Sequence, residues 1–130
     1  MSESNFWKTV KRNLPSDCHS TRIENRNGGG VADVHIVWNG FAFWIELKVS
    51  KGNKVLLSPH QIAWNSAYSR KGGVSFILVQ VPRQKSIVLF DGSLASEVFD
   101  KGLDAKSLYR GSCFKELFST IGAWGLGVGD

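Results

Sequence analysis

The sequence has only two cysteines, three histidines and no apolar run approaching the length of a membrane span. Each scarcity excludes something. Cys18 and Cys113 stand far apart, without the CxxC spacing of a zinc site, so they read as free thiols of a reducing compartment and not as a disulfide framework. His19, His35 and His60 lack metal-site spacing, and no serine–histidine–aspartate arrangement is visible. The opening stretch MSESNFWKTVKRNL carries no signal-peptide hydrophobic region. A soluble, cytoplasmic protein is therefore expected, with no membrane partner. Internal repeats and low-complexity tracts are missing too. So is any helix-turn-helix or zinc-finger signature for reading a base sequence.

What is present suits one domain over residues 1–130, long enough to bury a core without disulfides. Five tryptophans and eight phenylalanines supply much of that core. The formal net charge of +5 agrees with an anionic partner such as nucleic acid without requiring one.

Residues Ser4–Leu14 carry Phe6, Trp7, Val10 and Leu14 at helical spacing, with Pro15 as the stop. A polar strand is expected over Cys18–Arg26 and a glycine turn over Asn27–Gly30. Strands Val31–Trp38 and Phe41–Ser50 follow, joined by Asn39-Gly40, a type I′ hairpin signal. Ser50–Leu57 reads as a polar loop. Ser58, Pro59 and Gln61 form a helix start with a capping box, and the helix runs to about Lys71 before Gly72-Gly73. Gln61, Trp64, Ala67, Tyr68 and Lys71 share its expected packing face. Val74–Val81 is apolar enough for a central strand, Ser86–Phe90 is another, and Leu94–Phe99 and Phe114–Ile121 suit short helices. The order α-β-β-β-α-β-β describes an α/β fold, a mixed central sheet flanked by helices, with a core over about 3–91 and a C-terminal extension over 92–130.

The chemistry is concentrated in GGGVADVHIVWNGFAFWIELK, residues 28–48. In a strand, residues two apart share a face, so Glu46 and Lys48 project together while Phe43, Ile45, Leu47 and Val49 point into a core. Trp44 falls by parity on the Glu46 side, and His35 shares the face of Asp33. Asp33 and Glu46 on neighbouring strands form a carboxylate pair of the kind that holds Mg²⁺ or Mn²⁺, with the Leu47 main-chain carbonyl as a further oxygen. Such an ion activates water for phosphodiester hydrolysis, and Lys48 is placed to orient that water or to stabilise phosphate charge. Gln61 is explained by its capping role and is also a candidate for the site. Arg22, Arg26, Lys51 and Lys54 flank the metal strands and are expected to line a phosphate track.

These residues carry a resemblance. RIENRNGGGVADVHI, GFAFWIELK, LSPHQIAW and GGVSFILV together resemble the PD-(D/E)XK nuclease superfamily, closest to its small VRR-Nuc-like and phage-type members and related to archaeal-type Holliday-junction resolvases. The likeness covers roughly residues 3–81. It implies an αβββαβ core, Mg²⁺-dependent DNA cleavage leaving a 5′-phosphate and a 3′-hydroxyl, often a homodimer, and a prokaryotic or phage-infected cell. Asp33 matches the motif aspartate, Glu46 and Lys48 match the E-x-K, and Gln61 matches a glutamine that opens the following helix. Glu3 is the candidate for the family's helix-borne acid, with Glu24 as the alternative. The chain departs from the pattern at Ala32, where the family has proline.

The expectation is thus a metal-dependent DNA endonuclease selective for branched structures such as a junction or flap. A restriction-like or repair nuclease on duplex DNA, an RNA-acting member, and a DNA-binding protein that keeps the fold without catalysis stand as alternatives.

Overall fold

The structure, a computed structural model, describes residues 2–23 and 30–127. Helix α1 (Glu3–Arg12) opens the chain. Ser2 caps it, its hydroxyl accepting from the Asn5 N–H at 3.1 Å, which starts the helix one residue earlier than expected. Phe6, Trp7 and Val10 form its buried face. Strand β1 (Cys18–Arg22) is shorter than expected, and Glu24, Asn25 and Arg26, given to the same strand, lie outside the described residues. Strands β2 (Val34–Trp38) and β3 (Phe41–Val49) form the hairpin, in which Asn39 and Gly40 both have positive φ, 52° and 78°, as a type I′ turn requires. Helix α2 (Pro59–Arg70) then crosses to β4 (Ser75–Val81), which pairs in parallel with β3.

Strand β5 (Ser86–Asp91), helix α3 (Ala95–Lys101), strand β6 (Tyr109–Gly111) and helix α4 (Phe114–Gly125) complete the fold. The six strands lie in sequence order, and every neighbouring pair except β3–β4 is antiparallel. Strand β6 was not anticipated; three residues with one β-branched or aromatic side chain leave no periodicity to detect. No described helix is long and apolar enough to cross a membrane.

Both faces of the sheet are buried. Phe43, Ile45 and Leu47 of β3, with Phe76 and Leu78 of β4, pack with Phe6 and Val10 of α1 and Leu117 and Ile121 of α4. On the other face Ile77, Val79, Val88 and Phe90 pack with Ala95 and Val98 of α3 and with Val55 and Leu57. The last two correct the reading of 50–57 as a polar loop: it is a tight turn, with Lys51 and Lys54 exchanging backbone hydrogen bonds of 2.9 Å, that leads into buried apolar residues. The expected packing face of α2 also needs correction. Ala67 and Lys71 are exposed, and Asn65 is its fully buried residue. Residues 92–127, expected as an extension, supply side chains to both core layers.

The turn that carries Lys51 is held from behind. The Asn53 carbonyl accepts from the Leu103 N–H at 2.9 Å, and its side-chain amide donates to Asp104 at 3.2 Å. Gly102, at φ 62°, lies so close to the Asn53 carbonyl that a Cβ would collide with backbone. Gly52, at φ 58°, has nothing within 4 Å of that position. Gly52→Ala should therefore cost only the left-handed penalty of about 1–2 kcal/mol. Gly102→Ala should cost clearly more, about 3 kcal/mol, because backbone must also move. Urea denaturation of the two variants checks this; equal losses would refute the close approach.

Candidate active site

The site lies where one ladder stops. β2 pairs with β3 from Trp38↔Phe41 to Val34↔Ile45 and no further. Beyond that point Glu46–Val49 are paired in the sheet only with β4, from Glu46↔Ile77 to Val49↔Gln80. Asp33 stands one residue before β2. Its backbone carbonyl accepts from the Ile23 N–H at 2.7 Å, which extends the β1 side of the sheet and fixes the residue. Its carboxylate turns across the notch, and Oδ2 accepts from the Leu47 N–H at 2.8 Å. A side chain thus takes the hydrogen bond that a neighbouring strand would otherwise supply. In a strand the N–H and C=O of one residue leave by the same edge. The Leu47 carbonyl accordingly faces the same notch as Asp33.

Glu46 is 0 % exposed. Its Oε2 accepts from Gln61 Nε2 at 3.3 Å, while Oε1 is buried without a hydrogen-bond partner. Burial, then the Asp33 charge and a hydrogen bond to Asp33, push the Glu46 carboxyl up to about 10; Lys48 opposes the shift and Glu3 adds slightly to it. Lys48 is itself 9 % exposed and its Nζ lies 3.6 Å from Glu3 Oε2. Glu3 comes from the start of α1. That ion pair is half open to solvent and adds at most about 1 kcal/mol of stability.

Gln61 closes the expected capping box and also contacts Glu46. Its Oε1 accepts from the Ser58 N–H at 2.9 Å and the Ser58 hydroxyl accepts from the Gln61 N–H at 3.1 Å, closing the capping box, while Nε2 reaches Glu46. The sequence reading missed what holds this helix. Asn65 Nδ2 donates to the Gln61 carbonyl at 2.8 Å, and the Ser75 hydroxyl donates to Asn65 Oδ1 at 2.7 Å, tying α2 to the head of β4. A signal existed: Asn65 is one turn after Gln61, and Ser75 is a lone hydroxyl opening an apolar strand. Gly30, at φ 78°, lies against the His60 carbonyl with no room for a Cβ and seats the chain before Asp33 on the start of α2.

Glu46 and Lys48 share one face of β3, as their spacing requires, and both are buried there, with Gln61 of α2 against Glu46. Trp44 shares that face, half-buried between His35 at 4.8 Å and Trp64 at 5.6 Å between ring centroids. Arg22, Lys51 and Lys54 are exposed, Arg22 beside Val34 at the end of β1 and the lysines on the turn after β3. None of the three is in the carboxylate cluster. Glu24 and Arg26 lie outside the described residues.

Asp33, Lys48 and Glu3 all bring charge to bear on Glu46. Among the described residues no group of three or more histidine, cysteine or acidic side chains is arranged to hold a metal. The set that fits a metal is smaller: Asp33, Glu46 with its unpartnered oxygen, and the Leu47 carbonyl. All are hard oxygen donors, which suits Mg²⁺ or Mn²⁺ retaining several waters.

No family model matches this sequence, and a search of curated proteins finds no match. Among solved structures the chain is similar to Hjc of Archaeoglobus fulgidus, a Holliday junction resolvase from an archaeal hyperthermophile. The TM-score is 0.50 at 14 % identity, over 71 % of this chain and 75 % of that one. The likeness shows the fold alone: a mixed sheet flanked by helices.

The raised Glu46 carboxyl predicts a pH dependence with a definite sign. Below its ordinary value of 4.5 the group is protonated in both states and costs nothing. As pH rises from there toward about 10, the unfolded chain releases a proton that the folded chain keeps, and stability falls. The slope approaches at most about 1.4 kcal/mol per pH unit. Urea melts in EDTA across neutral to alkaline pH should show metal-free wild type losing stability faster than Glu46→Gln; parallel curves would mean that Glu46 ionises freely.

Proposed function

We propose that this chain is a metal-dependent endonuclease that hydrolyses phosphodiester bonds in DNA and selects branched structures. The observation that carries the proposal is the fully buried Glu46 carboxyl beside Asp33, whose Oε1 has no donor partner and meets Asp33 only through a proton that Glu46 itself carries. Ionised, such a carboxylate left half-satisfied inside a core costs about 1–3 kcal/mol. A site that binds a cation offsets that cost, whereas a purely structural carboxylate does not.

In this reading Asp33, Glu46 and the Leu47 carbonyl hold Mg²⁺, with Mn²⁺ able to substitute. The ion supplies Lewis acidity and an acidified water. The chain does the rest. Gln61 holds Glu46 Oε2 and leaves Oε1 free of a donor. The Leu47 N–H holds Asp33. Lys48, restrained by Glu3, donates to the attacking water or to a phosphate oxygen as negative charge builds. Glu3 is favoured over Glu24 as the additional acid by its 3.6 Å approach to Lys48. Preference for branched DNA is supported by the fold shared with a Holliday junction resolvase and by the lack of a sequence-reading module. A homodimer would offer one site to each strand of a symmetric branched substrate.

The test is cleavage of labelled four-way junction, flap, nicked, single-stranded and linear DNA, with Mg²⁺ or with EDTA. Cutting should need the metal and favour branched substrates, and Asp33→Asn, Glu46→Gln and Lys48→Ala should each lower the rate by about 10²-fold or more. Full activity in any of the three variants, or no metal-dependent cutting of any substrate, would defeat the proposal.

Metal binding has a separate signature. Because Glu46 holds its proton in the metal-free protein at neutral pH, Mg²⁺ must displace it. Calorimetry in buffers of different ionisation enthalpy should record release of about one proton per ion bound. Gln61→Ala should weaken the ion by about tenfold through loss of the Glu46 contact. Proton-neutral binding would remove Glu46 from the ligand set.

A further inference from the structure

We propose that the groove across the C-terminal ends of β3 and β4 is the track of one nucleic-acid strand, with Lys51 and Arg83 as its phosphate contacts. The inference rests on the nuclease reading and assigns that site a direction. Two clefts, of about 530 and 350 Å³, adjoin at Ser50 and Pro82, which line both. The first is lined by Glu3, the residue paired with Lys48, and by Lys51. The second is lined by Asn53 and Arg83. Taken together they lead from the carboxylate that meets Lys48 toward Arg83.

Its chemistry suits a polyanion. Lys51 and Arg83 are exposed cations, one in each cleft, and Glu3 is the one carboxylate among the described lining residues. Apolar side chains, Val49 in the first cleft and Val81 and Leu103 in the second, give the sugars of a strand a surface between the charges. Both cations sit on braced turns. Lys51 is on the turn that Asn53 anchors to Asp104, and Arg83 is in a single 3-10 turn started by Pro82. In sheets with a parallel pair, ligands gather at the carboxyl ends of the strands, and this groove crosses those ends.

The geometry separates this track from the rest of the basic surface. Helix α2 runs back between parallel strands, so Lys71 at its end lies at the opposite end of β3 and β4. Binding of a mixed-sequence single-stranded oligonucleotide and of a four-way junction is measured in EDTA by fluorescence anisotropy over a salt series. Lys51→Ala and Arg83→Ala should each weaken binding several-fold and lower the slope of log affinity against log salt by about 1. Lys71→Ala should leave the slope unchanged. Where cleavage is observed, methylphosphonates on one strand and one side of the cut should reproduce the Arg83→Ala loss, and Arg83→Ala should become insensitive to them.

Unchanged slopes in Lys51→Ala and Arg83→Ala, an equal fall in Lys71→Ala, a methylphosphonate effect on both sides of the cut, or no DNA binding by the wild type would each overturn the track. Loss of the expected slopes with cleavage intact rejects the groove and keeps the nuclease. Slopes that fall as expected, with no cleavage of any substrate, keep the groove and reject the nuclease.

Discussion

The hydrogen bond from the Leu47 N–H to the Asp33 carboxylate, 2.8 Å long, fixes the geometry on which the rest of the site depends. A backbone donor inside a sheet needs a partner. Once β2 stops at Val34, the edge of β3 beyond Ile45 has none from β2. Asp33 meets that need with a charged side chain instead of a strand. The substitution holds one carboxylate beside another. A longer β2 would satisfy the same donor and close the notch.

Burial gives the arrangement its chemical force. Glu46 points to the face that α2 covers, and like charge from Asp33 adds to the cost of ionising it. In water two such carboxylates would repel weakly. In a low-dielectric interior the same pair favours either a proton or a cation between them. The covering helix has to be rigid for this to work, and its anchor is polar: Ser75 to Asn65, Asn65 to the Gln61 carbonyl, Gln61 to Glu46. This chain of hydrogen bonds runs from the head of β4 to the carboxylate, so the crossover between the parallel strands also orients Glu46.

The parts of this architecture that were legible in the sequence are those written in local patterns. Asn39-Gly40, the Ser58–Gln61 capping box, the alternation in β3 and the apolar run of β4 each state their structure within a few residues. The pairing of β2 with β3 follows from the hairpin, and with it the proximity of Asp33 and Glu46. What stayed hidden depends on residues distant in sequence. Parity put Glu46 on the face opposite Phe43 and Ile45, but it does not say whether a helix covers that face. Val55 and Leu57 looked like part of a polar loop because their partners, such as Val98, come more than forty residues later. Asn65 looked like an ordinary polar residue on a helix. The contact of Glu3 with Lys48 depends on how α1 packs across the sheet, which its own amphipathic pattern does not specify.

The two ends of β3 are chemically unlike, and this gives the site a direction. Toward its start, Trp44 meets His35 and Trp64 in an aromatic cluster. Toward its end come Lys48, the pair with Glu3, and then the braced turn with Lys51. On the proposed reading, a phosphodiester strand running in the second direction meets Lys51 and then Arg83. Phosphate contacts fix register and orientation without reading bases. On the proposed function, a domain that positions its substrate mainly through such contacts would recognise the shape of a nucleic acid, because the path of the backbone is what those contacts measure.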